Sequence, residues 1–217
     1  MCFNETASLF ALSVGWTFAA ILFSKNEVCY AGILFFISFI QLFEYFIHRS
    51  LRTKDDATNR VFTLLIFIFV ALQPIVFSLL NMYYAPKGAK FILPSYLRSP
   101  WVLFAYLAVA VWVYSDLKDS MLTTAVDKCG TVCRLNWFKR SASYSPQFFF
   151  VAYLVYVSAY TISDGRLFLS WIIPVCLIIS WVYIFLLDSE WSKNFSFVGS
   201  MWCFLAVFGG GFFLLKK

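Results

Sequence analysis

The chain has 217 residues, of which 62% are hydrophobic, 22% aromatic and only 13% charged, with a formal net charge of +6. Soluble domains carry roughly 25% charged residues, so a water-soluble fold of this length has too little polar surface to cover its apolar side chains. The basic residues stand in short runs beside apolar stretches, where Lys and Arg set topology and meet lipid headgroups; that placement makes the lipid bilayer the expected partner and excludes nucleic acid. In hydrocarbon each spanning segment must satisfy its own backbone hydrogen bonds, as a helix does. The apolar stretches are too long and continuous for the alternating, roughly 10-residue strands of a membrane barrel. The expected fold is all-α, a polytopic membrane helical bundle forming one domain over residues 1–217, with no internal repeat.

A spanning helix takes about 20 mostly apolar residues. The first candidate is 6–24, closed by Lys25, Asn26 and Glu27. No basic n-region precedes it, so it is read as a helix of the mature protein rather than a cleaved signal. The second is 28–47, closed by His48-Arg49-Ser50-Leu51-Arg52, and the third is 61–82, after a polar stretch over 52–60. Pro86, Gly88, Pro94 and Pro100 mark a connector. The fourth span is short, 101–115, with a start as early as Phe91 left open. A long polar segment, 116–147, precedes a fifth span at 148–162, a sixth at 167–187 and a seventh at 197–215, ahead of Lys216-Lys217. Trp101, Tyr114, Tyr144, Trp191 and Tyr83-Tyr84 fall near span ends, as an interfacial aromatic belt requires.

Seven spans put the termini on opposite faces. The amino-terminal face, here face A, carries ten of the basic residues and the opposite face B carries seven. The positive-inside rule then predicts a cytoplasmic amino terminus and a carboxyl terminus across the membrane.

Ten of the eleven acidic residues fall in loops or at span ends, and Glu44 is the exception. An ionised side chain within hydrocarbon is costly and usually faces a partner or a water-filled cavity. At helical spacing Ser38, Gln41, Glu44 or Tyr45, and His48 share one face. The functional reading is a proton- or cation-handling site, with a carboxyl group of raised pKa and a histidine that titrates near neutrality. The structural alternative places Glu44 within a turn of the interface, pairing with Arg49, Arg52 or a backbone amide, and leaves His48 as an interfacial residue.

Gln73-Pro74 stands midway along the third span. Proline removes a donor and frees the carbonyl four residues earlier, at Val70; such interruptions build ion sites in transporters and also occur as plain kinks. Pro174 marks a second kink, in the sixth span, and Gly209-Gly210-Gly211 in the seventh permits close packing or a bend. Cys2, Cys129 and Cys133 share face A and are weak candidates for a metal or for palmitate, and a cytosolic face disfavours stable disulfides among them. The glycosylation patterns at Asn4-Glu5-Thr6 and Asn194-Phe195-Ser196 abut the membrane on the same face and are discounted. A retinal protein needs a lysine in the middle of the last helix; Lys216 and Lys217 stand at its extreme end, so retinal is not expected, and no cofactor is predicted. Metalloprotease, nucleophile-elbow and phosphate-loop motifs do not occur.

The opening Met1-Cys2-Phe3-Asn4-Glu5, the run Phe39-Ile40-Gln41-Leu42-Phe43-Glu44-Tyr45-Phe46, the Gln73-Pro74 pair and Trp202-Cys203 resemble an uncharacterised family of small multi-pass membrane proteins of giant DNA viruses and some microbes. That family typically opens Met-Cys-Trp-Asn, so Phe3 departs from its pattern. His48 departs too, standing where an aromatic residue is expected. The matching blocks cover about a fifth of the chain. The resemblance supplies no chemistry, but it singles out Cys2, Asn4, Glu5, Gln41, Glu44, Gln73 and Cys203 as a common set.

These readings lead to a small-cation or proton channel or transporter, more a conduit than an enzyme. Its site would be Glu44, Gln41 and Gln73 with His48 nearby, and Asn4 and Glu5 would form the mouth. The alternatives are a structural or assembly protein of a viral or host membrane, and an intramembrane or lipid-modifying enzyme using Cys2 or Glu44. A homo-oligomer is left open.

Overall fold

The computed structural model describes residues 5–85, 87–91, 93–120, 122–126, 134–136, 145–159 and 162–163. Five α-helices dominate them: α1 (Glu5–Ser24), α2 (Val28–Thr53), α3 (Asp56–Tyr84), α4 (Pro100–Leu117) and α5 (Ser145–Ala159). Four of these, α1 to α4, are long and apolar enough to cross a membrane. The expected sixth and seventh spans, 167–187 and 197–215, lie outside the described residues, together with Pro174 and Gly209-Gly210-Gly211.

The first three helices form two tight hairpins. Asn26, with φ 61°, and Glu27, whose amide donates to the Leu22 carbonyl at 3.0 Å, turn α1 into α2. Asparagine tolerates this left-handed conformation better than most residues. The second turn is tighter. Lys54 takes φ 56° after the end of α2, and the Asp55 amide donates to the Ser50 carbonyl at 2.9 Å, closing the last turn. Asp55 then caps α3 by accepting from the Thr58 amide at 3.1 Å and the Thr58 hydroxyl at 2.6 Å. The polar stretch 52–60, read from sequence as a loop, is therefore almost all helix. Its charges stand on helix ends that project past the apolar zone, and hydropathy alone cannot tell such an end from a loop.

Packing follows side-chain size. The inward positions of α1 are Ser8, Ala11, Leu12, Gly15, Ala19 and Leu22, a mostly small stripe that lets α1 lie close along α2. Between α2 and α3 the contact is aromatic: Phe36, Phe39 and Phe43 surround Phe69 at centroid distances of 5.0, 5.7 and 4.8 Å, and Phe46 stacks on Phe62 at 4.5 Å. Flanked by both neighbours, α2 is the most buried of the four long helices.

Gly88, with φ +85°, turns the α3–α4 connector. Its β1 (Lys90–Phe91) pairs antiparallel with β4 (Ile162–Ser163), and a 3-10 turn over Ser95–Arg98 leads to Pro100 in the first turn of α4. Phe91 belongs to β1, so α4 starts at Pro100 and not earlier. α4 buries only Tyr106, Ala110, Val113 and Leu117, a helical-spaced stripe, while Trp101, Phe104, Val111 and Trp112 face outward. So broad an exposed apolar surface marks contact with lipid or protein. After α4, β2 (Thr124–Val126) pairs antiparallel with β3 (Arg134–Asn136), and α5 packs beside α4 and touches α3. The fifth helix begins at Ser145, three residues ahead of the apolar run that predicts it, because Pro146 fits a first helical turn. The four strands are two or three residues long, so the all-α reading holds for the body of the described residues.

Candidate functional site

The central helix carries the polar residues inward. Ser38, Gln41 and Glu44 are fully buried, and His48 is 9% exposed. Spacings of three and four residues set them on one face of α2, and the apolar positions around them, Leu34, Ile37, Ile40 and Ile47, are core as well. Because α2 runs to Thr53, Glu44 sits nine residues, about 14 Å, inside the end of its helix. The helix end this depth is measured from projects past the apolar zone, and the apolar run itself stops at His48-Arg49, about one turn beyond Glu44, as the interfacial alternative has it. One of the partners expected on that alternative is engaged elsewhere: Arg52 Nε lies 3.2 Å from Glu5 Oε1. Arg49 is exposed.

Partnering separates the members of this face. Ser38 Oγ donates to the Leu34 carbonyl at 2.7 Å and is thereby satisfied within its own helix. The Gln41 carboxamide is different: among the described residues neither its Oε1 nor its Nε2 has a hydrogen-bond partner. Burying an amide with no partner costs about 1–3 kcal/mol.

Gln73 on α3 is fully buried too. Tyr153 of α5 donates its hydroxyl to Gln73 Oε1 at 2.9 Å, which leaves Gln73 Nε2 unpartnered among the described residues. Gln41 and Gln73 do not bond to each other. The structure sets both in one core without joining them directly, and the residue that holds Gln73, Tyr153, was not anticipated from sequence. Pro74 stays inside a continuous helix, so the interruption considered for this site is absent. Tyr106 of α4 donates to the Ala71 carbonyl at 2.7 Å, one residue from Val70, the position expected to be freed by the proline.

Glu5 reaches neither Gln41 nor Glu44. It stands at the face A end of the α1–α2 hairpin, in the ion pair with Arg52, whose side chain is 68% exposed. One turn further in, Ser8 is buried and its hydroxyl has no partner among the described residues. The sequence gives a weak signal for Ser8, which shares the inward stripe with Ala11, Gly15 and Ala19. Asn4, Cys2, Cys129, Cys133 and Cys203 lie outside the described residues. Among those described, no three of His, Cys, Asp and Glu come together as a metal site would require.

A second buried polar group was missed because its first member was read as loop. Asn59 Nδ2 donates to the Thr123 carbonyl at 3.0 Å, and the Thr123 amide donates to Asn59 Oδ1 at 2.9 Å. Thr63 Oγ1 donates to the same Oδ1 at 3.1 Å and meets Thr123 Oγ1 at 2.7 Å. The carboxamide thus serves both main-chain groups of a non-helical residue, as a neighbouring strand would, and fastens the segment after α4 to the first turns of α3. The Asn59/Thr63 spacing of four residues is its only sequence trace. No family model, curated protein or solved structure matches the chain.

Proposed function

We propose that this protein conducts or binds a small cation, a proton in the first place, at an intramembrane site built from Glu44, Gln41 and Gln73. The observation that carries the reading is Gln41: fully buried, one helical turn from an equally buried Glu44, with both of its polar atoms unpartnered among the described residues. Acidic residues inside membrane helices are expensive and mark ion or proton pathways. An amide beside one supplies a carbonyl for a cation or a hydronium, and an N–H₂ for the carboxylate's water. Gln73, held by Tyr153, offers an N–H₂ group from the neighbouring helix. On this proposal two further spans, 167–187 and 197–215, complete a seven-helix bundle with a cytoplasmic amino terminus, and kinship with the viral and microbial family belongs to the same proposal.

Proton and cation flux through purified protein in liposomes, beside a Glu44→Gln variant of normal stability, tests it. Flux that vanishes in the variant supports a pathway through Glu44. Absence of flux from the parent chain under imposed pH and voltage gradients removes the reading.

One set of observations favours a second reading, a structural or assembly protein whose polar groups lock helices together. Cys29 Sγ donates to Asn81 Oδ1 at 2.9 Å between α2 and α3, and the Tyr153–Gln73 and Tyr106–Ala71 bonds tie α5 and α4 to α3. On that reading Glu44→Gln shifts stability and no flux exists to lose.

A further inference from the structure

The connector between α3 and α4 is longer than a bundle needs. Helix–helix connections usually take about 2–8 residues, and this one, at face B, takes 15, residues 85–99. It is held in one shape. Lys90 and Phe91 pair with Ser163 and Ile162 across the β1–β4 ladder. The 3-10 turn over Ser95–Arg98 is closed by the Leu97 amide on the Pro94 carbonyl at 3.2 Å and the Ser99 amide on the Tyr96 carbonyl at 3.3 Å. Arg98 is turned back onto the same connector: its Nη1 donates to the Leu93 carbonyl at 2.6 Å, and its guanidinium lies 4.2 Å from the centre of the Phe91 ring.

What this frame presents outward is aromatic and basic. Trp101, Tyr83 and Tyr96, exposed by 79, 73 and 70%, are the three most exposed large hydrophobic side chains among the described residues, and Tyr84, next to Tyr83, is 56% exposed. All four stand at the end of α3, in the connector or at the start of α4. In a bilayer such a side chain keeps its ring at the edge of the hydrocarbon and its N–H or O–H among the headgroups. Lys87 and Lys90 are exposed in the same connector, and residues 57–115 contain no acidic residue. The charged end of the molecule at face A is different. There Arg52 is paired with Glu5 at 3.2 Å, and Lys54 is followed directly by Asp55 and Asp56. On face B the one acidic side chain among the described residues is Glu27, half-buried in the α1–α2 turn.

We infer that the face B connector is a docking surface for anionic phospholipid headgroups, with Lys87 and Lys90 meeting the phosphate and Tyr83, Tyr96 and Trp101 seated in the glycerol and upper acyl region around it. This goes beyond the cation-site reading and is independent of it. The physical case is charge complementarity on a rigid frame. The connector contains no carboxylate to neutralise its lysines, and its strand and turn are ordered before a lipid arrives, so little conformational entropy is lost on docking. Near a membrane surface each basic side chain is worth about a 5-fold preference for anionic lipid, and the two lysines together about 25-fold. Arg98, engaged with Leu93 and Phe91, is left out of that product.

Lipid binding to the full chain tests the inference. The protein, released from detergent micelles, is titrated separately with phosphatidylglycerol and phosphatidylcholine, and native mass spectrometry reads the bound lipids one at a time. The expected result for Lys87→Gln with Lys90→Gln is a fall of at least about 10-fold in affinity for the first phosphatidylglycerol, with phosphatidylcholine unchanged. Tyr96→Ala with Trp101→Ala should weaken both lipids alike, because the rings do not read headgroup charge. Arg49→Gln with Arg60→Gln, the face A control, should leave the ratio of the two affinities within about 2-fold of the parent. All six positions are exposed, where substitutions seldom disturb folding. An unchanged ratio in the lysine pair overturns the inference, as does a ratio that falls with the face A pair alone. A change in oligomeric mass of the Tyr96→Ala, Trp101→Ala protein, with both lipid affinities unchanged, assigns the surface to a second copy of the chain and overturns it too. Flux in liposomes bears on none of these outcomes, so this surface and the transport reading stand or fall separately.

Discussion

Replacing Asn59 by alanine should be among the most damaging changes available in α3. The carboxamide makes three hydrogen bonds, at 2.9, 3.0 and 3.1 Å, and two of them serve the amide and carbonyl of buried Thr123. Thr123 lies outside any helix or strand, so no regular ladder can replace that bracket. Stripping a buried polar group of its partner costs about 1–3 kcal/mol, which puts Asn59→Ala at about 2–6 kcal/mol for the two main-chain groups together. Hydrogen bonds between membrane helices average only about 0.6 kcal/mol because the unfolded reference also finds partners, so a loss near 2 kcal/mol already distinguishes the bracket from an ordinary helix contact. Thr63→Val keeps the bracket and loses only the 3.1 and 2.7 Å hydroxyl bonds, for an expected loss of about 1 kcal/mol. Equilibrium unfolding by denaturing-detergent titration of the micelle-bound protein reads each variant. The double variant should lose less than the sum of the two, since they share one network. An Asn59→Ala protein within about 0.5 kcal/mol of the parent, the usual range for surface changes, would refute the reasoning.

Four further expectations follow from the same geometry. Gln41→Leu, nearly equal in volume, should leave stability unchanged or raise it by up to about 1–3 kcal/mol by removing an amide unpartnered among the described residues, and on the proposed function should abolish flux; a clear loss of stability would mean the amide is engaged. Tyr106→Phe should cost about 0.5–1.5 kcal/mol through the lost bond to the Ala71 carbonyl, read by the same titration. Gly32 lies where an added Cβ would come within 2.9 Å of both Leu80 terminal methyls, so Gly32→Val should overpack the α2–α3 seam by about 1–3 kcal/mol; a neutral result would show that the seam can yield. Asp55 is held below the usual aspartate range by hydrogen bonds from the Thr58 hydroxyl and then the Thr58 amide. Its capping contribution is therefore complete above the ordinary aspartate pKa and fades as pH falls through the lower folded value. Asp55→Asn, which can still cap, should flatten that acid limb of stability, and an unchanged limb would assign it to other carboxyl groups.

The spans of α1 to α3 were legible in the sequence because 18 or more mostly apolar residues have few alternatives to a helix in lipid, and the fourth, read as 101–115, is the core of α4 (Pro100–Leu117). Their ends were not. Residues 48–53 and 56–60 carry charge, and a hydropathy window stops at charge, whereas the chain continues helically because Asp55 and the left-handed Lys54 supply a two-residue turn. That extension puts Glu44 nine residues inside the end of α2, where the expected span 28–47 put it three residues inside. The polar face Ser38, Gln41, Glu44 and His48 was likewise readable from helical spacing, since it depends on one element only.

Which of those polar groups are satisfied depends on distances between elements. Composition and periodicity determined an all-α, lipid-suited chain with a polar face on its second helix, because hydropathy and the 3.6-residue turn act within a segment. Tertiary structure decided that Arg52 pairs with Glu5, that Tyr153 holds Gln73, that Asn59 serves Thr123 and that Gln41 has no partner among the described residues. These outcomes need helix register and approach, set by the small α1 stripe and the phenylalanine contacts of α2 with α3, and no single segment of sequence contains them.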